Sequence, residues 1–264
     1  MIDLHCHLLP GIDDGSADLA TSLAMARAAV ADGIRVTACT PHIYPGLYEN
    51  TADGIRAATR RLAQALSEHD IDLRLVCGAD THLVPGLISR LRDGSVPTLN
   101  DSRYLLLEPP HHVAPPRFEA SIFELMTAGY VPVITHPERL SWIETHYSVM
   151  QRLVQRGVWM QVTSGSLAGR FGKRPRYWGE RLLTEGLVHL LATDSHGIRK
   201  RPPCLAEGRD LAARRIGETQ AAMLVFGRPR AILMNLSPSE VPMPQVPART
   251  QSRWQRMQEM LPWR

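Results

Sequence analysis

No stretch of this chain approaches eighteen consecutive apolar residues, so no membrane-crossing helix is expected. The N-terminus lacks the basic segment and apolar core of a secretory leader. Cysteine is scarce and scattered. Cys6, Cys39, Cys77 and Cys204 form no C-x-x-C pair, which speaks against a disulfide scaffold and for a reduced, cytoplasmic protein. A broad basic face is also missing. The net charge is +4, but residues 241–264 carry Arg249, Arg253, Arg256 and Arg264 against Glu259 alone, which leaves about +1 for the body. A nuclease would carry its excess charge on the body.

Several catalytic signatures are absent as well. The residues six beyond the cysteines are Ile12, Pro45, Leu83 and Asp210, so there is no thiol-phosphatase C-x5-R. There is no H-E-x-x-H and no G-x-S-x-G. "GRFGKR" at 169–174 lacks the first glycine of a phosphate loop and the Ser/Thr after its lysine. Nucleophilic serine and cysteine chemistry is left without a motif, and a metal-activated hydroxide is the remaining nucleophile.

What is present is a globular composition: 264 residues, 44% apolar and 21% charged. Short apolar runs recur at Ile2–Leu4, Val36–Cys39, Leu73–Cys77, Tyr104–Leu107, Val131–Ile134, Val158–Val162 and Val188–Ala192. Helical spacing lies between them. Leu19, Leu23, Ala26 and Val30 share one face before Gly33, and 51–66 and 148–155 read similarly. Strand–helix alternation predicts an α/β fold with a parallel sheet, and seven repeats favour a barrel.

The strand ends carry the chemistry. The first delivers His5 and His7, followed by Asp14 in a Gly- and Asp-rich turn. The next ends reach His42, Asp80, Glu108, then His136 and Arg139, and finally Asp194 and His196. Only the sixth, ending "QVTSGS", offers no charged or imidazole group. In a parallel barrel these ends share one face. Residues i and i+2 of a strand point the same way, so His5 and His7 reach one ion while Cys6 faces the other side. A donor set of imidazoles and carboxylates suits manganese, iron or zinc. Nine donors exceed one ion's needs, so two or three divalent ions are expected. Arg139 and Arg201 suit phosphate oxygens through paired hydrogen bonds. His82 is left outside the ligand set. His69, His146 and His189 read as structural or exposed, and His111 and His112 as a solvated loop over the site.

The segments "DLHCHLLPGIDDGS", "TPHIYPG", "GAD", "LLLEPP", "THPERL" and "TDSHGIRKRPP", spread over about residues 1–235, resemble the polymerase and histidinol phosphatase superfamily. Within it they resemble the bacterial metal-dependent protein-tyrosine phosphatases of capsule and exopolysaccharide production. The resemblance implies a distorted seven-stranded β/α barrel with three ions, often manganese. It implies that His5, His7, Asp80 and Asp194 hold one ion, Asp80, Glu108 and His136 a second, and Asp14, His42 and His196 a third, with Arg139 and Arg201 on the phosphate. It further implies direct hydrolysis, with the phosphorylated tail of a membrane-associated tyrosine autokinase as substrate and no nucleic-acid partner. Asp80 departs from the pattern, which carries glutamate there.

Two other readings fit the residues less well: a phosphatase of small alkyl phosphates such as histidinol phosphate, and a non-catalytic barrel regulator. Residues 1–238 are expected to form the barrel, and 239–264 a Pro-rich linker with a short basic amphipathic segment (Trp254, Met257, Leu261) that could dock on the barrel, join subunits or touch anionic membrane.

Overall fold

The fold is that of a computed structural model, which describes residues 1–246. The amphipathic segment at 254–261 lies outside the described residues. Among the described residues, parallel strands alternate with helices: β1 (Ile2–Cys6), β2 (Val36–Cys39), β3 (His42–Ile43), β4 (Arg74–Cys77), β5 (Asp80–His82), β6 (Tyr104–Glu108), β7 (Val131–Thr135), β8 (Trp159–Thr163) and β9 (Leu190–Ala192). They form two sheets, ordered β1-β2-β4 and β3-β5-β6-β7-β8-β9.

Every expected apolar run overlaps a strand. The single closed seven-stranded barrel is not what is observed, and the reason is local. β2 and β3 are separated by Thr40 and Pro41, and β4 and β5 by Gly78 and Ala79. Proline has no N–H to give to a ladder. Register survives the break: Cys39 pairs with Cys77 and His42 with Asp80. The two sheets meet again where β1 approaches the end of β9, through the bridge between Cys6 and Ser195. There the Asp194 N–H donates to the His5 carbonyl at 2.8 Å and the His7 N–H to the Ser195 carbonyl at 2.9 Å.

The helices pack outside the strands. Leu19–Ala31 starts at Asp18, whose side chain accepts from the Thr21 N–H, and is followed by Gly33 at φ 89°. Ala52–Glu68 starts at Thr51, whose hydroxyl accepts from the Gly54 N–H. Each cap satisfies an N–H that the helix itself leaves free. Tyr147–Gln155 turns Tyr147, Met150, Leu153 and Val154 inward. None of the described helices is long and apolar enough to cross a membrane. Packing continues to Val241, which is buried with Ile2, Tyr104 and Trp159.

The strands enclose a second apolar cluster, made by Ile2, Leu4, Tyr104, Leu106, Val133, Trp159 and Leu190 among others. Each such side chain stabilises the fold by roughly 1.5–3 kcal/mol. This cluster forms the floor of the polar site. In β1 a bulge makes the change from one to the other. Asp3 pairs with Thr37 and Cys6 with Cys39, so three steps on β1 match two on β2. Such a bulge re-aims side chains. Ile2 and Leu4 point into the apolar floor, and past the bulge His5 and His7 point into the polar end while Cys6 joins the outer core.

Candidate metal centre

The nine ligand residues expected from the sequence converge at the carboxyl ends of the strands. His5 Nε2 lies 3.3 Å from His7 Nε2, from Asp80 Oδ2 and from Asp194 Oδ1. His42 Nδ1 is 3.3 Å from Glu108 Oε2 and 3.5 Å from Asp80 Oδ2. Its Nε2 is 3.4 Å from Asp14 Oδ1, the same distance at which His196 Nε2 meets that oxygen. His136 Nε2 lies 3.7 Å from Glu108 Oε1.

Overlapping groups of donor atoms arise that could each hold an ion: His7 with Asp14, His42 and His196; His5 with His7 and Asp80; His5 with His136 and Asp194; and two centred on Glu108. The first of these contains all of the expected third set and adds His7. The groups around Glu108 bring in two histidines from outside the expected ligand set. His82 Nε2 approaches Glu108 Oε2 to 2.6 Å and His111 Nε2 reaches Glu108 Oε1 at 3.0 Å. His112, its neighbour, is exposed and stays out of every group. His189 is buried against Trp159, away from these groups.

Local geometry aims the ligands. His136 and Asp194 both adopt left-handed backbone, at φ 35° and 49°. Non-glycine residues are strained in that conformation, and such strain is typically stored at functional sites. Gly15 allows the acidic turn to close over β1, because a Cβ there would lie 2.4 Å from the His7 Cβ.

Supporting residues fix the rings. Asp13 Oδ2 accepts from His7 Nδ1 at 2.7 Å and from the His42 backbone N–H at 3.1 Å. Gln161 Oε1 accepts from His5 Nδ1 at 2.9 Å. Each leaves the other ring nitrogen turned toward the cluster, as orienting partners of ligating histidines do. The only sequence signal for Asp13 is its place beside Asp14. Gln161 lies on the one strand whose end carries no charged or imidazole group.

Arg139 and Arg201 both hydrogen-bond Asp194 Oδ2. The ring of Phe171 lies against both guanidinium groups, 4.7 Å from the Arg139 Cζ and 5.9 Å from that of Arg201. Phe171 is the aromatic residue of "GRFGKR", so that segment serves the site through its ring.

The electrostatics call for cations. Burial opposes the charge on Asp194, but His5, His7, Arg201 and Arg139 hold it well below the usual carboxylate range. For Glu108 burial is again opposed, by His111, His42 and His82, and the net shift is downward. The His196 imidazole, with Nε2 3.4 Å from its Oδ1, depresses Asp14. Burial lowers His136 and His196, keeping them neutral with a lone pair to offer. Burial would lower His7 too, but Asp13 and Asp194 raise it to about 10. Protonated imidazole therefore balances the buried carboxylates, a role that divalent ions fill in metal sites.

The donor set fits such ions on a further observation. Asp80 Oδ1 and Oδ2, Glu108 Oε2, His42 Nδ1, His136 Nδ1 and His196 Nε2 are all buried without a hydrogen-bond partner. Buried polar atoms are rarely left so. Asp80 Oδ2, Glu108 Oε2, His42 Nδ1 and His196 Nε2 each lie at ion-pair distance from another donor of the cluster, which suits shared cations.

A parallel α/β fold with imidazoles, carboxylates and arginines at its strand ends defines a protein built like a metallohydrolase. The sequence matches the family described as capsular polysaccharide synthesis, CpsB/CapC, over residues 1–234, and the chain belongs to that family. It is 40% identical to tyrosine-protein phosphatase YwqE of Bacillus subtilis over 201 residues, 76% of this chain and 79% of the relative. It is 28% identical to tyrosine-protein phosphatase CpsB of Streptococcus pneumoniae over 245 residues, 89% of this chain and 99% of the relative. A crystal structure from work on YwqE and CpsB, described as unique metal-dependent tyrosine phosphatases, matches with a TM-score of 0.88 at 36% identity and covers 94% of this chain and 98% of that one.

Proposed function

We propose that this chain is a metal-dependent protein-tyrosine phosphatase acting in capsule or exopolysaccharide production. The observation that carries the reading is the set of unpartnered buried donor atoms beside two arginines that share one carboxylate. Family membership and the 40% identical phosphatase support it.

In this reading His5, His7, Asp80 and Asp194 hold one divalent ion. Asp80, Glu108 and His136 hold a second, and Asp14, His42 and His196 a third. Manganese is the first choice, with iron or zinc next. Residues 1–238 form the phosphatase domain around them, with 239–264 as an appended segment. Ions of this kind supply Lewis acidity toward a phosphoryl group and lower the pKa of a coordinated water.

The chain's own residues do the rest. Asp13 and Gln161 keep His7 and His5 in the tautomer that offers Nε2. Arg139 and Arg201, already at the rim of the cluster, donate to the phosphoryl oxygens and stabilise the charge that builds there. The leaving group is a phenolate, whose conjugate acid has a pKa near 10, so departure needs little protonation. No residue of the chain becomes phosphorylated. The substrate in this reading is a phosphotyrosine protein of the cytoplasm, the tail of a tyrosine autokinase.

The test combines metal analysis with a phosphotyrosine-peptide assay on protein purified without chelator. We expect bound divalent metal, turnover that EDTA abolishes and manganese restores, and loss of both metal and turnover in Asp80→Ala. His112→Ala serves as the control. Turnover that survives complete removal of metal would refute the reading.

A further inference from the structure

We propose that Tyr44 forms the wall that recognises the aromatic ring of the substrate, selecting aryl over alkyl phosphates. The inference deepens the phosphatase reading and rests on it.

Tyr44 lies in the short loop after β3. Its ring is stacked on the imidazole of His82, with centroids 4.0 Å apart and planes only 9° from parallel. His82 in turn approaches Glu108 to 2.6 Å. Tyr44 is therefore one ring away from the donor cluster. Tyr44 is nonetheless 39% exposed, so part of its surface stays open to a ligand. Tyr48, at the other end of the loop, stacks on His42 with centroids 5.4 Å apart and planes 19° from parallel.

The loop is rigid. The Tyr44 N–H donates to the Tyr48 carbonyl at 3.0 Å and the Tyr48 N–H to the Tyr44 carbonyl at 2.8 Å. Between them Gly46 takes φ 84°, which a side chain would resist. A preorganised aromatic loses little freedom when a ligand settles on it.

Position gives the surface a purpose. Arg139 and Arg201 gather at the Asp194 side of the cluster, and Tyr44 stands at the Glu108 side. A phosphate ester gripped by the arginines at one end presents its ester substituent toward the other. A phenyl group there can stack on the open surface of Tyr44, whereas an alkyl group has no π-face to offer. Aromatic pairs gain enough beyond their buried area to change affinity by roughly three- to tenfold.

The experiment uses the manganese-loaded full chain and two non-hydrolysable probes, phenylphosphonate and methylphosphonate, with dissociation constants measured by calorimetry. Wild type should prefer the phenyl compound. Tyr44→Ala should shrink that preference by roughly three- to tenfold. Tyr44→Leu, which keeps bulk over His82 but has no π-face, should shrink it similarly, and Tyr44→Phe should keep it. The ratio of kcat/KM for phenyl phosphate over glycerol 2-phosphate should follow the same order, with the change in KM. An unaltered preference in Tyr44→Ala and Tyr44→Leu, equal weakening of both probes, no preference in wild type, or loss of metal from both variants would each overturn the proposal. If wild type hydrolyses neither ester, the phosphatase reading fails, while the phosphonate ratio still decides whether Tyr44 recognises a ring.

Discussion

Gln161 Oε1 accepts a hydrogen bond from His5 Nδ1 at 2.9 Å, joining two residues 156 positions apart in the chain. The bond sets the imidazole so that its Nε2 meets Asp80 and Asp194. Removing such an orienting partner commonly costs about 10- to 100-fold in metal affinity. Gln161→Leu should therefore lose manganese to a competing chelator at correspondingly lower chelator concentration, and Gln161→Glu should retain it. Equal retention in the leucine variant would show that His5 needs no such partner.

Arg201 and Arg199 stand two residues apart but in different surroundings. Arg201 hydrogen-bonds Asp194, and Arg199 is exposed. Arg201→Ala should lower kcat/KM on a phosphotyrosine peptide by about ten- to a thousandfold, by analogy with lost oxyanion donors. Arg199→Ala should match wild type. Metal content, measured in parallel, should be unaffected in both; similar kinetics in the two variants would remove Arg201 from the phosphate site.

Phe171 lies within cation–π range of both Arg139 and Arg201. Such contacts contribute about 0.5–1 kcal/mol each at partly exposed sites. Phe171→Ala should raise the inhibition constant of inorganic phosphate a few-fold and act on KM more than on kcat. Phe171→Tyr should restore binding. A fall in kcat with unaltered phosphate inhibition would place the ring's role elsewhere.

No thiol is poised for nucleophilic attack. Burial raises Cys6 well above its ordinary value, Cys39 to about 12 and Cys77 to about 11, and Cys204 is raised by the same cause. The thiolate is the reactive form. Brief treatment with iodoacetamide at neutral pH should leave phosphatase activity intact, and inactivation that phosphate protects against would reopen a cysteine mechanism.

His189 is fully buried, stacked on Trp159, and accepts from the Met160 N–H through Nδ1 at 3.2 Å. Burial, assisted by the charge of Arg228, lowers its pKa to about 3. The unfolded chain binds a proton at this position near pH 6.5, and the folded chain does not. Stability from this group is thus complete above that pH and is lost as pH falls toward 3. Between pH 7 and pH 5 the loss amounts to roughly 2 kcal/mol. His189→Asn keeps an acceptor but cannot titrate, so its denaturant midpoint should fall less over that interval than the wild-type midpoint. Parallel pH profiles would show that His189 is protonated in the folded state.

The sequence by itself was enough for seven of the nine described strands and for the convergence of nine candidate residues at the strand ends. Apolar runs such as Val131–Ile134 declare a strand through local periodicity, and parallel strands necessarily bring the residues at their carboxyl ends to a common face. His5, Asp80, Glu108, His136 and Asp194 were therefore legible without coordinates. Two of the short strands were not. His42–Ile43 and Asp80–His82 are too brief and too polar to show a period, and they exist because their neighbours hold the ladder across Pro41 and Gly78.

Only the tertiary structure decided which side chains serve the cluster from outside the pattern. The bulge in β1, which turns the chain from apolar floor to polar site, appears in the pairing with β2 and in no local signal. Gln161 behind His5, Phe171 under two arginines and Tyr44 over His82 are contacts between segments far apart in the chain, and Asp13 reaches His7 only because the acidic turn folds back over β1. Periodicity reports which way a residue faces within its own element. What it meets there depends on how distant strands are brought together, and that is settled by the packing of the whole core.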